Sequence, residues 1–188
     1  MNADKIINTL GYFAQRQGGS INCMKAYKLI WLADRYHLRQ YGRTITGDRY
    51  FAMQHGLVPS DAKNIVEGET PRHVLMTDGL TTGISHDRQG YTYSYSRPVE
   101  SDLFSESDRE VLDLIWQTYG AMDQWQLSEL SHLSPEWKQC EAQLGSDRKS
   151  MGVETDLFFD NFDDGHGLFL DSPEKMAAAR DFYHLFNR

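Results

Sequence analysis

The segment from residue 23 to residue 41 constrains the fold of this chain most strongly. Apolar residues recur there at helical spacing over a broad face, which predicts a central helix with neighbours on several sides. Asn22, just before it, is a residue type that caps helices. A second amphipathic segment, residues 4–17, ends at Gly18-Gly19. Two such segments in succession predict a mainly helical core.

The sequence also predicts one β-hairpin. Tyr alternates with Thr and Ser from Tyr91 to Ser96, and this period of two is typical of a half-buried strand. Residues 80–86 are expected to form the partner strand, with the turn at residues 87–90. An isolated hairpin is only marginally stable in water, so its tyrosine face is expected to pack on the helices.

Short helices are expected in the rest of the chain. Ser107 and Glu110 have the spacing of a capping box, which predicts that a helix begins there. The other helices are predicted near residues 60–68, 126–132, 135–143, 153–161 and 173–186, with loops at 42–59 (extended at 49–53) and 145–152. No repeat or long linker divides the 188 residues. We therefore predict a compact single-domain helical bundle over residues 1–188, mainly α with a small β-hairpin.

Composition argues against several classes of protein. Cys23 and Cys140 are too few for a disulfide scaffold or a four-cysteine zinc site. No signal-peptide pattern and no apolar run of about 18 residues is visible, so we expect a cytoplasmic protein without a membrane span. The net charge of −8 disfavours nucleic acid as a partner, because affinity for phosphates requires concentrated positive charge.

Positive charge is nevertheless concentrated on and after the central helix. Lys28, Arg35 and Arg39 share one side of that helix, and Arg43 and Arg49 follow it. Two interpretations stay open. The residues form either a solvated helix face or a positive docking surface for an acidic partner.

No residue pattern indicates catalysis or a cofactor. The chain has neither a G-x-S-x-G elbow nor a P-loop, and no two histidines have the spacing that places metal ligands on one helix face. Residues 160–171 match an EF-hand loop in part, but Phe162 stands where an oxygen ligand is required. An acidic surface loop is the preferred interpretation and a calcium loop the alternative. We predict a protein that is not an enzyme and holds no metal or cofactor.

Four short motifs follow one another along the chain. Lys-Leu-Ile-Trp-Leu-Ala-Asp at 28–34 is followed by Ile-Thr-Gly-Asp at 45–48 and by His-Gly-Leu-Val-Pro at 55–59. Leu-Ser-His at 130–132 precedes Trp137. In this order and spacing the motifs resemble the Panacea domain, the family of SocA-like antitoxins that also includes phage-associated proteins.

The resemblance extends over about residues 5–140, and residues 145–188 form a C-terminal extension that it does not cover. Leu57 departs from the family's usual proline, so this turn is expected to be less rigid than in relatives. The resemblance implies an antitoxin that neutralises a cognate protein toxin, encoded by an adjacent gene, by direct contact in a type II toxin–antitoxin system. The alternatives are a phage-associated adaptor that delivers a partner to a protease and a DNA-binding regulator. The oligomeric state stays open.

Two groups of residues follow as candidates. Aromatic and arginine side chains are frequent centres of protein interfaces, so partner contacts are expected from the basic residues and the tyrosines of the hairpin. These candidates are Lys28, Arg35, Arg39, Arg43, Arg49, Tyr91, Tyr93 and Tyr95. Residues that match the family motifs are expected to have structural roles: Asp34, Gly47, Asp48, Gly56, Pro59, His132 and Trp137.

Overall fold

A computed structural model describes residues 3–69, 82–145 and 148–186 of the chain. Within these residues it contains seven α-helices: α1 Ala3–Arg16, α2 Cys23–Tyr41, α3 Ser60–Glu67, α4 Glu106–Tyr119, α5 Gln124–His132, α6 Pro135–Glu141 and α7 Pro173–Phe186. The strands are β1 Ser20–Asn22, β2 Tyr50–Met53, β3 Gly56–Pro59, β4 Ile84–Asp87, β5 Thr92–Tyr95 and β6 Ser150–Gly152. Short 3-10 helices lie at Ser101–Leu103 and Thr155–Phe159. The mainly α class predicted from the sequence is confirmed.

Helix α2 lies at the centre of the fold and has the predicted bounds. The Asn22 side chain accepts a hydrogen bond from the Lys25 backbone N–H at 3.2 Å, as expected of a cap. The helix ends at Gly42, whose left-handed conformation (φ 72°) lets its N–H bond the Leu38 carbonyl. Helices α1, α3, α4, α5 and α7 all contact α2. Most of its residues are therefore buried.

Two small antiparallel sheets flank the helices. The predicted hairpin of β4 and β5 is confirmed, and β1 pairs with the other edge of β5 to complete the order β1-β5-β4. Residues 80–81 of the expected partner strand lie outside the described residues. The second sheet has the order β3-β2-β6 and was predicted only in its β2 part. The sequence prediction of loops was wrong at residues 56–59 and 150–152, because strand pairing with β2 orders both.

The start of α4 differs from the prediction. Ser105 is the cap, and its hydroxyl accepts a hydrogen bond from the Asp108 N–H at 3.2 Å. The Asp108 carboxylate accepts in return from the Ser105 N–H at 2.9 Å. The capping box predicted at Ser107 and Glu110 is therefore wrong, because an equivalent pair two residues earlier takes that role. No helix in the described part of the chain is both long and apolar enough to cross a membrane.

Two arginines of α2 hold helix α6 and the C-terminal segment against the central helix. The Arg35 Nε donates to the Glu136 carboxylate of α6 at 2.9 Å, and both side chains are fully buried. Arg39 donates to the Phe159 carbonyl at 2.7 Å and to the Asp171 carboxylate at 2.9 Å. The segment that follows β6 is thereby attached to α2 by charge-assisted hydrogen bonds.

The buried Arg35–Glu136 pair gives a stability test. Replacing Glu136 with Gln keeps the shape of the side chain but leaves the Arg35 guanidinium buried without a counter-charge. We expect the free energy of unfolding, measured by urea denaturation, to fall by about 3 kcal/mol.

Glu100→Gln is the matched control, because Glu100 pairs with Arg97 at a largely exposed site. The expected loss in the free energy of unfolding for Glu100→Gln is below about 1 kcal/mol. Equal losses in the two variants would show that the buried pair contributes no more than an exposed one.

Candidate functional site

The basic residues predicted to form a docking surface divide into two groups. Lys28, Arg35 and Arg39 have at most 1% of their surface exposed, so they form neither a solvated face nor a docking surface. That prediction is wrong for these three, because the C-terminal segment and the β2–β3 hairpin cover their side of α2. Arg43 and Arg49 are exposed, and Arg43 pairs with Asp108 at 2.9 Å.

The three tyrosines also separate. Tyr93 is fully buried and donates to the Leu10 carbonyl at 2.9 Å, and Tyr95 is 6% exposed. Tyr91 lies in the turn with φ 53°, which takes it out of the strand alternation and leaves it 51% exposed. The prediction that Tyr93 and Tyr95 present a contact surface is therefore wrong, and Tyr91 alone among the three is accessible.

Asp34 is the acceptor that orders the loop after α2. Its carboxylate is fully buried and accepts from the N–H groups of Ile45 and Thr46 at 2.8 and 2.9 Å. It also accepts from the hydroxyl groups of Thr46 and of Tyr50, the latter at 2.7 Å. Burial raises the pKa of Asp34, while these hydrogen bonds oppose the rise. All of these contacts are internal to the fold.

Asp48 fixes the start of α3. Its carboxylate accepts from the N–H groups of Asp61 and Ala62 at 2.9 and 2.8 Å, so it serves as a capping group for a helix that begins after Pro59. Burial raises its pKa to about 7. Gly47, just before it, has φ 69°, a conformation that glycine adopts without strain.

The turn between β2 and β3 is locked onto α2 and α5. Gly56 has φ 95°, and a Cβ at this position would overlap the hydroxyl of Ser131 and lie 2.9 Å from Cε of Lys28. The Lys28 ammonium donates to the Leu57 carbonyl at 2.6 Å. The Ser128 hydroxyl donates to the His55 carbonyl at 3.0 Å. Motif residues that are far apart in sequence thus meet at this turn.

His132 and Trp137 complete the same region. Their ring centroids lie 4.0 Å apart, so the two side chains pack against each other. The Trp137 indole N–H donates to the Met53 carbonyl at 2.9 Å. Burial, with the charge of Lys28 adding to it, lowers the pKa of His132. The pair thus connects α5 and α6 to strand β2.

An open groove of about 1100 Å³ lies directly beside these contacts. Its walls come from the N-terminal ends of α2 and α5, the β2–β3 turn, the C-terminal end of α6 and residues 148–149. The aromatic and aliphatic side chains that line it include Met24, Tyr27, Met53, Tyr91, Trp125, Trp137 and Leu144. Trp125 is 54% exposed and meets His55 edge to face, with ring centroids 5.5 Å apart.

Sequence reasoning identified only part of this groove. Lys28, Tyr91 and Trp137 were among the candidates, but Trp125 and the basic residues 148–149 were not. A signal for Trp125 was present in the sequence. Trp125 stands between two glutamines and does not share the apolar face of α5 that Leu127 and Leu130 define. A large aromatic residue on a polar helix face is frequent at protein interfaces.

The EF-hand-like loop has internal partners for its carboxylates. Asp160 accepts from Arg180 at 2.6 Å, and Asp164 accepts from the Tyr119 hydroxyl. Asp171 accepts from Arg39. Across the described ranges, no three His, Cys, Asp or Glu side chains are grouped so that they could hold a metal ion.

Comparison with protein families accounts for the motifs. The model of the SocA-like antitoxins, Panacea domain, matches residues 27–138, more than half of the chain. The chain belongs to this family. The match runs from α2 to α6 and contains the β2–β3 turn, Trp125 and Trp137, whereas α1 lies outside it. Neither the comparison with curated proteins nor that with solved structures finds a match.

The packing of the β2–β3 turn predicts an unequal response to two glycine substitutions. Gly56→Ala adds a methyl group where Ser131 and Lys28 leave no space, in addition to backbone strain. We expect a loss of roughly 3 kcal/mol in the free energy of unfolding. Gly165→Ala, at φ 78° with nothing within 4 Å, should lose only about 1 kcal/mol. Similar losses in urea denaturation would show that the turn has room to relax.

Buried Lys28 predicts a pH dependence of stability. Burial lowers its pKa to about 7, whereas in the unfolded chain it stays near its ordinary value of 10.5. Between these values the unfolded chain binds more protons at Lys28, so the free energy of unfolding should rise with pH from about 7 to about 9. Above that range Cys23, whose pKa burial raises to about 11, and buried tyrosines such as Tyr93 act in the opposite direction.

Lys28→Met should remove this rise, and the exposed Lys138→Met should retain it. Urea denaturation at several pH values in this window measures the slopes for the wild type and both variants. A slope in Lys28→Met equal to that of the wild type would assign the dependence to other groups.

Proposed function

We propose that this protein is an antitoxin that neutralises a cognate protein toxin by direct binding, as one half of a type II toxin–antitoxin pair. The observation that carries the proposal is the family match, whose residues 27–138 include the turn and helices that form the groove. The groove is the proposed docking site. Binding rather than catalysis is the proposed mode of action, in the cytoplasm, and the toxin gene is expected next to the gene for this protein.

The groove has the chemistry of a protein-binding surface. Its volume of about 1100 Å³ lies at the upper end of the usual range for ligand pockets, roughly 300–1,000 Å³, so it has room for a segment of a partner protein. Trp125 and Tyr91 are each more than half exposed at its edge, and aromatic anchors of this kind dominate the energetics of interfaces. Met24 and Met53 add flexible apolar side chains, which adapt to partners of different shape.

The C-terminal extension belongs to the same proposed functional unit. Residue 148 and residue 149 line the groove, although they lie outside the family match. Arg35 and Arg39 attach the following residues to α2. We propose that residues 1–188 act as one domain, in which the extension contributes one wall of the docking site.

A growth assay tests the proposal. Products of the neighbouring genes are expressed from an inducible promoter with and without this protein, and one of them should arrest growth unless this protein is present. Trp125→Ala should weaken the rescue, because it removes an anchor from the groove without leaving a buried cavity.

Leu170→Ala is the control, since Leu170 is 53% exposed and does not line the groove. It should rescue growth as well as the wild type. The absence of any neighbouring product that arrests growth and binds this protein would overturn the antitoxin assignment. Equal rescue by both variants would overturn the groove as the docking site.

A further inference from the structure

We infer that the groove binds a segment of the partner protein that carries large apolar side chains flanked by Asp and Glu. This inference rests on the proposed function and specifies the chemistry of the partner at the docking site. Its basis is the contrast between the charge of the groove and that of the whole chain. The chain carries a net charge of −8, whereas the groove is lined by four basic residues and a single acidic one among its described residues.

The basic residues differ in how far they are neutralised. Lys63 forms an ion pair with Glu67 along α3, so its charge is compensated. The Lys149 side chain makes no hydrogen bond or ion pair with the described residues, and the Arg148 side chain makes only a long hydrogen bond, 3.4 Å, to the Gln143 amide oxygen. Arg148 and Lys149 are both exposed. They are therefore available to a ligand with negative charge.

Lys28 adds a positive charge beneath the groove when its amine is protonated, at and below neutral pH. It lines the groove, is fully buried, and donates to the Leu57 carbonyl, with no carboxylate within ion-pair distance among the described residues. Charges act over longer distances in a buried environment than in water. An acidic group bound above Lys28 would therefore supply the counter-charge that the fold does not. The single lining acid, Glu141, is exposed and does not reverse this balance.

The lining side chains indicate that the acidic ligand is a protein segment. Met24, Met53 and Leu144 offer a surface for aliphatic and aromatic side chains. A nucleic acid would also be attracted by the cations, but its many phosphates would face the acidic remainder of the chain, where residues 73–188 hold 21 Asp and Glu against 9 Lys and Arg. A short segment with a few carboxylates satisfies both the apolar and the charged part of the groove.

Fluorescence anisotropy with three labelled peptides tests the inference on the full-length protein. The first has Leu and Trp at helical spacing with Glu elsewhere, the second has Lys in place of Glu, and the third has Ser in place of Leu and Trp. The first should bind about tenfold more tightly than either of the others, because only it matches both the apolar and the basic side chains. Its affinity should fall with added salt, which screens the exposed cations.

Matched charge reversals locate the binding. Arg148→Glu and Lys149→Glu should each weaken binding of the first peptide about fivefold. Lys138→Glu, at another exposed basic residue that does not line the groove, should change it less than about twofold. Equal effects of the three reversals, or equal affinity for the acidic and basic peptides, would overturn the inference.

Two further measurements exclude other occupants. A labelled single-stranded oligonucleotide that binds more tightly than the first peptide, and is displaced by it, would overturn the protein-segment inference in favour of nucleic acid. Sedimentation analysis that finds a dimer dissociated by Trp125→Ala would assign the groove to a second copy of the chain. A toxin whose complex is unaffected by Arg148→Glu and Lys149→Glu would refute the charge inference while leaving the antitoxin proposal intact.

Discussion

The burial of charged residues on α2 is the constraint on which the rest of the structure depends. A helix enclosed by five others must supply partners for each cation that it carries into the interior, since an unpaired buried charge is strongly destabilising. Arg35 meets Glu136 of α6, and Arg39 meets the carbonyls of residues 158–160. Lys28 bonds the Leu57 carbonyl of β3. Each cation thus fixes a different element against the central helix.

The groove is a consequence of these attachments. Lys28 and Ser128 bond the carbonyls at the β2–β3 turn, and Trp137 bonds the Met53 carbonyl, so the turn is held between α2, α5 and α6. The groove beside these bonds leaves the Trp125 side chain 54% exposed and Met53 half-buried. Trp125 and Met53 therefore line open space rather than core. A rigid support beneath a partly apolar surface reduces the entropy lost when a partner binds.

Local patterns in the sequence predicted a large part of the fold. The bounds of α2 and its cap at Asn22 follow from residues within a few positions of one another, as does the β4–β5 hairpin. Prediction failed where pairing over long range decides the structure. Strand β6 forms only because β2 lies beside it. Helical spacing placed Arg35 on an accessible face of α2, because the spacing does not include the C-terminal segment that covers Arg35.

The sequence by itself determined the helical class, the positions of α1 and α2, and the family motifs. Those features depend on periodicity and on short spacings, which act between neighbours in the chain. Only the tertiary structure decided which charged residues are buried, where the motifs meet and which aromatic side chains stay exposed. The physical reason is that the partner of a buried charge can lie anywhere in the chain: Glu136 is 101 residues from Arg35. Helical periodicity carries no information about that partner.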